Sequence, residues 1–503
     1  MDSNARKKSS LTAYFIPYLT PSHYLPLFQI AKLFASRGVH VIFLTTYHNS
    51  LSFRDSIPSL NQLGLHIDLE YVDFPSKEVG LPEGIESFSA ATNTDMAGRV
   101  LQAFFMLQAP IEAMVRAAKP DCIVADTHCF WTTALAEDLG IPRLVHHGQA
   151  AFSLAAIDAF DRYTPYENVK SDDEPFLLPG LPHPIYMTRS EHPPWIQSSN
   201  FYTTFLNKIK EADGNSYGLL VDTFYELEKD YIDFYRTTLD CRTWCIGPIF
   251  LHHDHALHKI NSKDKLNHDN NKSDENNPSK HPCLEWLDKM PRGKVVYVSF
   301  GSLSRFSSAQ LLEIAHALES SGHPFIWVVR KKESEEVGVK WLPEGFEERI
   351  SQKSIGMLIE GWAPQPQILE HPAIGGFVTH CGWNSSEESL AAGLPVVVWP
   401  LSAEQFYNRK LFIDVLKIGV GVGNMKWSSM IDGTDELVKR DKIENAVREM
   451  MGDHVEAQER RQRAKEFGIA AKKAVQQGGS SYDSLTAVID ELHRLKNSSK
   501  VAA

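Results

Sequence analysis

Short apolar runs and longer amphipathic stretches alternate along both halves of the chain. In the first half, the strand-like run Tyr14–Pro17 precedes a helical stretch from Tyr24 to Ser36, and a second strand follows at Val39–Thr45. Ser22 is the expected N-cap of that helix, and Gly38 is its expected stop. Strands that alternate with helices in this way are typical of βαβ units and of a parallel sheet.

A further strand of the first half is predicted at Cys122–Ala125. The second half repeats this alternation, with a helix expected from Ser308. Its strands are predicted at Lys294–Phe300, Phe325–Val329, Gly376–Thr379 and Pro395–Trp399. A chain of 503 residues is long enough for two such domains. The pattern therefore predicts an α/β protein built from two Rossmann-like halves.

The domain boundaries follow from a polar segment in the middle of the chain. We place the first domain at residues 1–250, the second at 283–478, and a flexible linker at 251–282, where Asn, Asp, Lys, Ser and His dominate. The histidines of this linker, His252, His253, His255 and His258, are better explained by a polar loop than by a metal site. A final helix within 479–503 has apolar positions that we expect to pack back on the first domain.

Composition and charge exclude several classes of protein. The net charge is −12, and no Lys/Arg cluster offers the basic face that nucleic acid requires. No apolar run reaches the ~18 residues of a membrane span. The polar start of the chain, Met1–Ser10, is not followed by the apolar stretch of a secretory signal. Six cysteines without close pairs are read as free thiols. We therefore expect a cytoplasmic protein that acts as a monomer.

Polar side chains follow the predicted strands at their carboxyl ends, where open parallel sheets bind ligands. His23 follows the first strand, and Asp126 follows the strand that ends at Ala125. In the second half the corresponding groups are Ser302, His380–Ser385 and Glu404–Gln405. These groups predict a cleft between two facing domains.

The segment Thr379–Ser385 offers a site for a diphosphate. It turns through glycine into a helix whose first turn carries Asn384 and Ser385. Helix amino termini present free N–H groups and a partial positive charge, so a diphosphate fits there without a metal. No Asp-x-Asp sequence occurs to hold a bridging metal. Gly419–Gly423 is not read as a dinucleotide loop, because it lies in a strand-like stretch and opens no helix.

The stretch from Trp362 to Gln405 resembles the sugar-nucleotide signature of the plant family 1 UDP-sugar glycosyltransferases, which have the GT-B fold. The resemblance extends over nearly the whole chain and includes Asp121–Asp126 and Val295–Ser302. It implies a UDP-sugar as co-substrate, no metal and no other cofactor.

The resemblance also implies roles for individual residues. His23 would be the general base and Asp126 its orienting partner, with inversion at the anomeric carbon. The implied donor contacts are Trp362 and Ala363 with uracil, Gln365 and Glu388 with ribose, Ser302, His380, Asn384 and Ser385 with the diphosphate, and Trp383, Glu404 and Gln405 with the sugar.

The implied chemistry agrees with the residue types. An alcohol is a poor nucleophile, so a histidine near neutral pKa must take its proton during attack. A carboxylate behind the imidazole fixes its tautomer and stabilises the imidazolium. The helix terminus stabilises the charge that develops on the leaving UDP. A base on one domain and a leaving-group site on the other predict a single displacement with inversion.

Several residues depart from the family pattern. Ser22 stands where glycine usually precedes the catalytic histidine, and Glu404 stands where aspartate is usual. Gln149 occupies the position after His147-Gly148 where many relatives have a small hydroxyl residue, which alters contacts near the donor sugar. Gln405 is the residue that favours glucose in the family.

The acceptor is predicted to be an apolar small molecule bound by the first domain. Candidate pocket residues are Phe104, Phe105, Phe130 and His147, while His128 and His147 either line the pocket or simply pack. Thr20–His23, Asn215–Gly218 and Glu404–Tyr407 are similar to the subgroup that glycosylates triterpenoid and steroidal saponins. UDP-galactose or UDP-glucuronate as donor, a flavonoid or phenolic acceptor, and a non-catalytic UDP-sugar binder remain open.

Overall fold

The computed structural model describes residues 11–198, 200–252, 281–301, 304–329, 341–428 and 436–502. Most of its strands form two parallel sheets, one from each half of the chain. The strands are β1 Thr12–Ile16, β2 His40–Thr45, β3 Ile67–Tyr71, β4 Cys122–Asp126, β5 Arg143–His147, β6 Phe176–Leu177, β7 Tyr186–Met187, β8 Gly218–Val221, β9 Thr243–Cys245, β10 Val295–Ser299, β11 Phe325–Val329, β12 Gly356–Glu360, β13 Ile374–Thr379, β14 Val396–Val398 and β15 Gly419–Gly421.

Both sheets have the strand order of a doubly wound fold. The first runs β3-β2-β1-β4-β5-β8-β9 and the second β12-β11-β10-β13-β14-β15, while β6 and β7 form a small antiparallel pair. The order reverses beside β1 in the first sheet and beside β10 in the second, and ligands of such sheets bind at these switch points. The predicted α/β architecture of two Rossmann-like halves is confirmed.

Helices cover both faces of the first sheet, as its buried strands require. In β1, Ala13 and Phe15 enter one apolar cluster, whereas Tyr14 and Ile16 enter another on the opposite face. A strand buried on both faces reads as a continuous apolar run, and this explains the sequence of β1.

Helices follow most strands of each half. The α-helices of the first half are Pro21–Ser36, Tyr47–Ser50, Ile57–Gln62, Thr94–Met106, Gln108–Ala118, Thr132–Leu139, Ala151–Tyr163, Phe201–Gly214 and Tyr225–Thr238. Those of the second half are Pro282–Leu287, Ser308–Ser320, Phe346–Gln352, Gln365–Leu369, Trp383–Ala392, Gln405–Lys410, Arg440–Met451, Val455–Ala474 and Ser480–Ala502. Among the described residues, no helix combines the length and the apolar character that crossing a bilayer requires.

One predicted helix start is corrected. The first helix begins at Pro21 with Thr20 as its N-cap, so Ser22 lies inside the first turn rather than capping it. Proline at the first helical positions has a backbone angle already suited to the helix. The helix after β4 begins at Thr132, after a turn that folds back on the end of the strand: the N–H of Cys129 donates to the Asp126 carbonyl oxygen at 2.9 Å.

The first residues of the predicted linker lie within the described part of the chain. His252 is buried, and its Nε2 atom lies 3.0 Å from the Ile246 carbonyl oxygen. His253, His255 and His258 lie outside the described residues.

The final helix, Ser480–Ala502, returns to the first half. Leu485, Val488, Ile489 and Leu492 lie in the same apolar cluster as Ala13 and Phe15 of β1. The Lys496 Nζ atom lies 2.6 Å from an Asp121 carboxylate oxygen, just before β4. These contacts hold the final helix against the first sheet.

Leu485 is fully buried in this contact, so we expect Leu485→Ala to destabilise the first half by ~2–5 kcal/mol through lost burial and a cavity. Leu51→Ala is the matched control, because Leu51 is 48% exposed and its truncation should cost at most about 0.5 kcal/mol. Urea denaturation of both variants measures the difference. Equal midpoints would show that the final helix does not stabilise the first half.

Candidate functional site

His23 and Asp126 meet at the switch point of the first sheet. His23 lies in the first turn of the helix after β1, and Asp126 is the last residue of β4, which pairs with β1 so that Ile16 lies opposite Ala125. The His23 Nδ1 atom is 2.8 Å from Asp126 Oδ2. Asp126 is fully buried, whereas the His23 side chain retains 27% exposure. Parallel pairing of neighbouring strands thus brings together two residues that are far apart in sequence.

The electrostatics of this pair suit proton transfer. Burial works to raise the pKa of Asp126, but His23 and His128 hold it well below its ordinary value, so the carboxylate stays charged. Burial also works to lower the pKa of His23, whereas Asp126 and then Glu404 raise it above its ordinary value near 6.5. His23 therefore keeps a proton to higher pH than an ordinary imidazole does.

His128 is a further member of this cluster that sequence reasoning left undecided. Its Nδ1 atom lies 2.8 Å from Asp126 Oδ1, and its backbone N–H donates to the same oxygen at 2.9 Å. The rings of His23 and His128 lie 4.9 Å apart at 88°, and Tyr18 stacks on His128 at 4.4 Å. Spacing along the chain gave no signal for this contact beyond a histidine two residues after the predicted carboxylate.

The same three residues are the group in the described part of the chain that could hold a metal ion, with potential ligand atoms within 4.8 Å of one another. Both imidazole–carboxylate distances of 2.8 Å are hydrogen-bond distances, which require a proton on each Nδ1 atom. The absence of a metal requirement stays a prediction.

In the second half, His380 is held in a narrow cradle after β13. A Cβ atom on Gly301 would lie 2.6 Å from His380 Cε1, and one on Gly382 would lie 2.6 Å from its Nε2 atom, so both positions require glycine. Gly301 also has a φ of +72°, which glycine adopts without strain. Burial lowers the pKa of His380 to about 4, so its imidazole is neutral. Its Nδ1 atom is buried without a hydrogen-bond partner among the described residues.

The helix Trp383–Ala392 starts directly after this cradle and carries the other predicted diphosphate contacts. Asn384 and Ser385 lie in its first turn, as the sequence predicts, next to free N–H groups. The Asn384 Nδ2 atom donates to the Ser22 carbonyl oxygen at 3.3 Å, which joins this turn to the helix that carries His23. Ser302 lies outside the described residues.

The predicted ribose contacts form one hydrogen-bonded group. The Gln365 Nε2 atom donates to Glu388 Oε2 at 2.8 Å and to Ser385 Oγ at 3.0 Å, and the Tyr297 hydroxyl lies 3.2 Å from Gln365 Oε1. Burial raises the pKa of Glu388 to about 7, against the hydrogen bond from Gln365, which lowers it. The structure therefore brings Gln365 and Glu388 together on one side of the helix start.

Trp362 and Ala363, the predicted base contacts, lie just before this group. The indole of Trp362 is 77% exposed, which is unusual for so large an apolar ring, and it leaves a flat face free for stacking. Ala363 is buried, and its carbonyl oxygen accepts from the Gln365 N–H at 2.8 Å.

The predicted sugar contacts are only partly free for a ligand. The Trp383 side chain is buried, and its indole N–H donates to the Asp222 carbonyl oxygen at 2.5 Å. The indole donor of Trp383 therefore joins the two halves, and its contact with the sugar stays a prediction. The Oε1 atom of Gln405 accepts from the N–H groups of Leu401 and Ser402 at 2.8 and 3.0 Å, so its amide nitrogen is the group left to contact a sugar.

Glu404 lies close enough to His23 to raise the pKa of its imidazole, so the two side chains face the same gap between the halves. Burial raises the pKa of Glu404, and the Asn408 Nδ2 atom lies 3.4 Å from its Oε1 atom. Asn408 also donates to the Cys381 carbonyl oxygen at 2.8 Å and accepts from the Ser153 hydroxyl at 2.6 Å. A single amide thus ties a helix of the first half to the turn before the diphosphate helix.

The candidate acceptor residues separate into three places. Phe104 packs its edge on Tyr18 at 4.8 Å, beside the His23 cluster. Phe105 and Phe130 each contact Phe205 and border an open groove of about 1380 Å³ whose lining does not include His23. His147 pairs at 2.9 Å with the partly buried carboxylate of Asp213, which also binds Arg143 and Thr127. Of the four, Phe104 alone packs beside the His23 cluster, and His147 has a structural partner instead.

The chain is similar in sequence and in structure to known proteins. Residues 271–456 match the family described as "UDP-glucoronosyl and UDP-glucosyl transferase". The chain is 42% identical to an anthocyanin 3'-O-beta-glucosyltransferase of Gentiana triflora over 96% of its length and 98% of the relative's. It is also 42% identical to a soyasapogenol B glucuronide galactosyltransferase of Glycine max, over 98% and 97%. A Glycyrrhiza uralensis enzyme solved with glycyrrhetinic acid 3-O-monoglucuronide is 40% identical, covers 98% of both chains and superposes with a TM-score of 0.88.

The raised pKa of Glu388 predicts that nucleoside binding depends on pH. Ribose hydroxyls donate to an ionised carboxylate, so uridine affinity should fall by up to about tenfold per pH unit once the pH drops below the pKa of about 7. Uridine is the probe because it carries no titrating phosphate. We expect Glu388→Gln to bind uridine more weakly and with no such pH dependence. Calorimetry that finds a flat profile for the parent chain between about pH 5.5 and 8 would contradict the ribose contact.

Proposed function

The chain belongs to the UDP-glucoronosyl and UDP-glucosyl transferase family and is a UDP-glycosyltransferase of the plant secondary-metabolite type, and from this premise we propose its specific reaction. We propose that it transfers glucose from UDP-glucose to a hydroxyl of a triterpenoid or steroidal acceptor, with inversion at the anomeric carbon. A cytoplasmic location and catalysis without a metal belong to the same proposal.

The observation that carries the proposal is the 2.8 Å contact between His23 and the buried Asp126. A charged carboxylate accepts only, so the proton of a neutral His23 is on Nδ1, and Nε2 offers its lone pair. The Nε2 atom has no hydrogen-bond partner among the residues that the structure describes. It is therefore available to take a proton from an acceptor hydroxyl.

The proposed transfer takes place in one step, in which the bonds formed and broken and the proton transferred are all accounted for. The acceptor oxygen bonds to the anomeric carbon as its proton moves to His23 Nε2, and the bond from that carbon to the UDP oxygen breaks with its electron pair leaving on UDP. Asp126 stabilises the resulting imidazolium. The helix start at Asn384 and Ser385, with the neutral His380, offers hydrogen-bond donors and a positive dipole to the departing diphosphate.

Glucose as the donor sugar is supported by Gln405, whose amide nitrogen is left free by the backbone contacts of its oxygen. The glucosyltransferase name of the Gentiana relative agrees with this choice. The Glycine relative is named a galactosyltransferase, so UDP-galactose is the second candidate donor.

A triterpenoid or steroidal acceptor is supported by the names of two similar proteins. The Glycine relative is named for soyasapogenol B glucuronide, and the Glycyrrhiza structure contains glycyrrhetinic acid 3-O-monoglucuronide. The Gentiana relative is named for anthocyanin, which favours a flavonoid as the second candidate acceptor.

The proposal is tested by incubating the enzyme with each UDP-sugar and a panel of triterpenoid, steroidal and flavonoid acceptors, with products read by mass spectrometry. We expect glucosides of a triterpenoid or steroid, and a loss of about 10²–10⁴-fold in rate for His23→Ala, because the base is removed. His40→Ala is the matched control, since His40 pairs with Asp68 at 2.8 Å at the surface. Equal rates for His23→Ala and the parent would contradict the base, and UDP binding without transfer from any donor would favour a non-catalytic binder.

The raised pKa of His23 predicts the pH profile. Only neutral His23 can accept a proton, so kcat/KM should rise with pH through an apparent pKa above 6.5. Asp126→Asn removes the charge that favours the imidazolium, so the acid limb should move to lower pH while the rate falls. Measuring kcat/KM against pH for both proteins checks the direction. An unmoved acid limb would assign it to another group.

A further inference from the structure

The cluster around Asp126 holds one imidazole more than the transfer step uses. Asp126 gives one carboxylate oxygen to each histidine: Oδ2 lies 2.8 Å from His23 Nδ1, and Oδ1 lies 2.8 Å from His128 Nδ1. Because the carboxylate is charged and only accepts, each Nδ1 atom must carry a proton when the rings are neutral. Both histidines are thus held in the tautomer whose Nε2 atom is a hydrogen-bond acceptor.

Both rings are partly exposed and lie beside the same aromatic residue. The side chains of His23 and His128 keep 27% and 25% exposure, and both rings contact Tyr18. Within the described part of the chain, neither Nε2 atom has a hydrogen-bond partner. A polar atom beside an aromatic wall of Tyr18, Phe88 and Phe104 is therefore left for a ligand.

Holding the carboxylate in place does not explain the His128 side chain. The backbone N–H of His128 already donates to Asp126 Oδ1 at 2.9 Å, and any aromatic ring could stack on Tyr18 at this position. What the imidazole adds is an acceptor nitrogen beside the base.

We propose that His128 binds a second acceptor hydroxyl through its Nε2 atom, so that the preferred acceptor carries two hydroxyls on neighbouring carbons. This inference rests on the proposed function, since it concerns the acceptor of that reaction. The ring centroids are 4.9 Å apart, and each hydrogen bond spans about 2.8 Å, so two neighbouring oxygens can be reached at once. One hydroxyl gives its proton to His23 and becomes the glycosidic oxygen, while the other stays intact and donates to His128.

The diol has two possible sources, the aglycone itself or a sugar already attached to it. Both present the same chemistry to the two imidazoles, a pair of neighbouring O–H donors. One test arm therefore uses a triterpenoid with and without a hydroxyl beside the reacting one. The other arm uses a triterpenoid monoglycoside whose sugar has or lacks the neighbouring hydroxyl.

The experiment compares the parent with His128→Phe, which keeps a ring for Tyr18 to stack on but has no acceptor nitrogen. In the parent, the diol of at least one arm should be preferred over its mono-ol roughly three- to tenfold in kcat/KM, mainly through KM. In His128→Phe this ratio should fall toward one, and His128→Gln, which retains an acceptor, should restore part of it. His40→Phe is the matched control at a surface histidine–carboxylate pair and should keep the parental ratio.

Acceptor binding to the UDP-loaded enzyme, measured by calorimetry, provides a readout that does not need turnover. If the parent transfers no sugar but still binds diols more tightly, and loses this selectivity in His128→Phe, the proposed function fails while the diol site stands. If transfer occurs and the diol ratio is the same in the parent and in His128→Phe, the inference is overturned and the proposed function is untouched. A parent with no diol preference in either arm overturns it as well.

Discussion

A carboxylate with no contact to solvent at the end of β4 requires hydrogen-bond donors, and Asp126 has three of them. They are the imidazoles of His23 and His128 and the backbone N–H of His128. These contacts fix the tautomer of both rings, keep the carboxylate charged and raise the pKa of His23, although burial opposes each of these charge states. The chemistry of the acceptor side depends on this one buried charge.

The proposed donor site depends on a different interaction, because the charge that it would bind arrives with the ligand. Its centre is the start of the helix after β13, where backbone N–H groups, small polar side chains and the neutral His380 converge. Glycines at 301 and 382 leave only enough room for the His380 ring between them. The backbone can then approach closely at the predicted diphosphate site.

The two sides are useful only if the halves keep a fixed relation, and several contacts across the gap provide it. The Trp383 indole donates to the Asp222 carbonyl oxygen, Asn384 donates to the Ser22 carbonyl oxygen, and Asn408 accepts from Ser153. Each of these second-half residues lies within or just after the donor segment. The predicted donor contacts and the residues that join the halves are therefore interleaved along the same stretch of chain.

The sequence by itself determined the fold class and supplied most of the candidate site residues. Alternation of apolar strands with amphipathic helices is a local property, and the donor groups between Trp362 and Gln405 are close in the chain, so both are readable without a structure. His23 and Asp126 were also accessible, because each follows a strand and neighbouring parallel strands end at one edge. Only the tertiary structure decided that His128 shares Asp126, that Trp383 donates to Asp222, and that His147 pairs with Asp213. A buried polar side chain must find a partner, but which one it finds depends on how distant segments pack, and no periodicity along the chain records that choice.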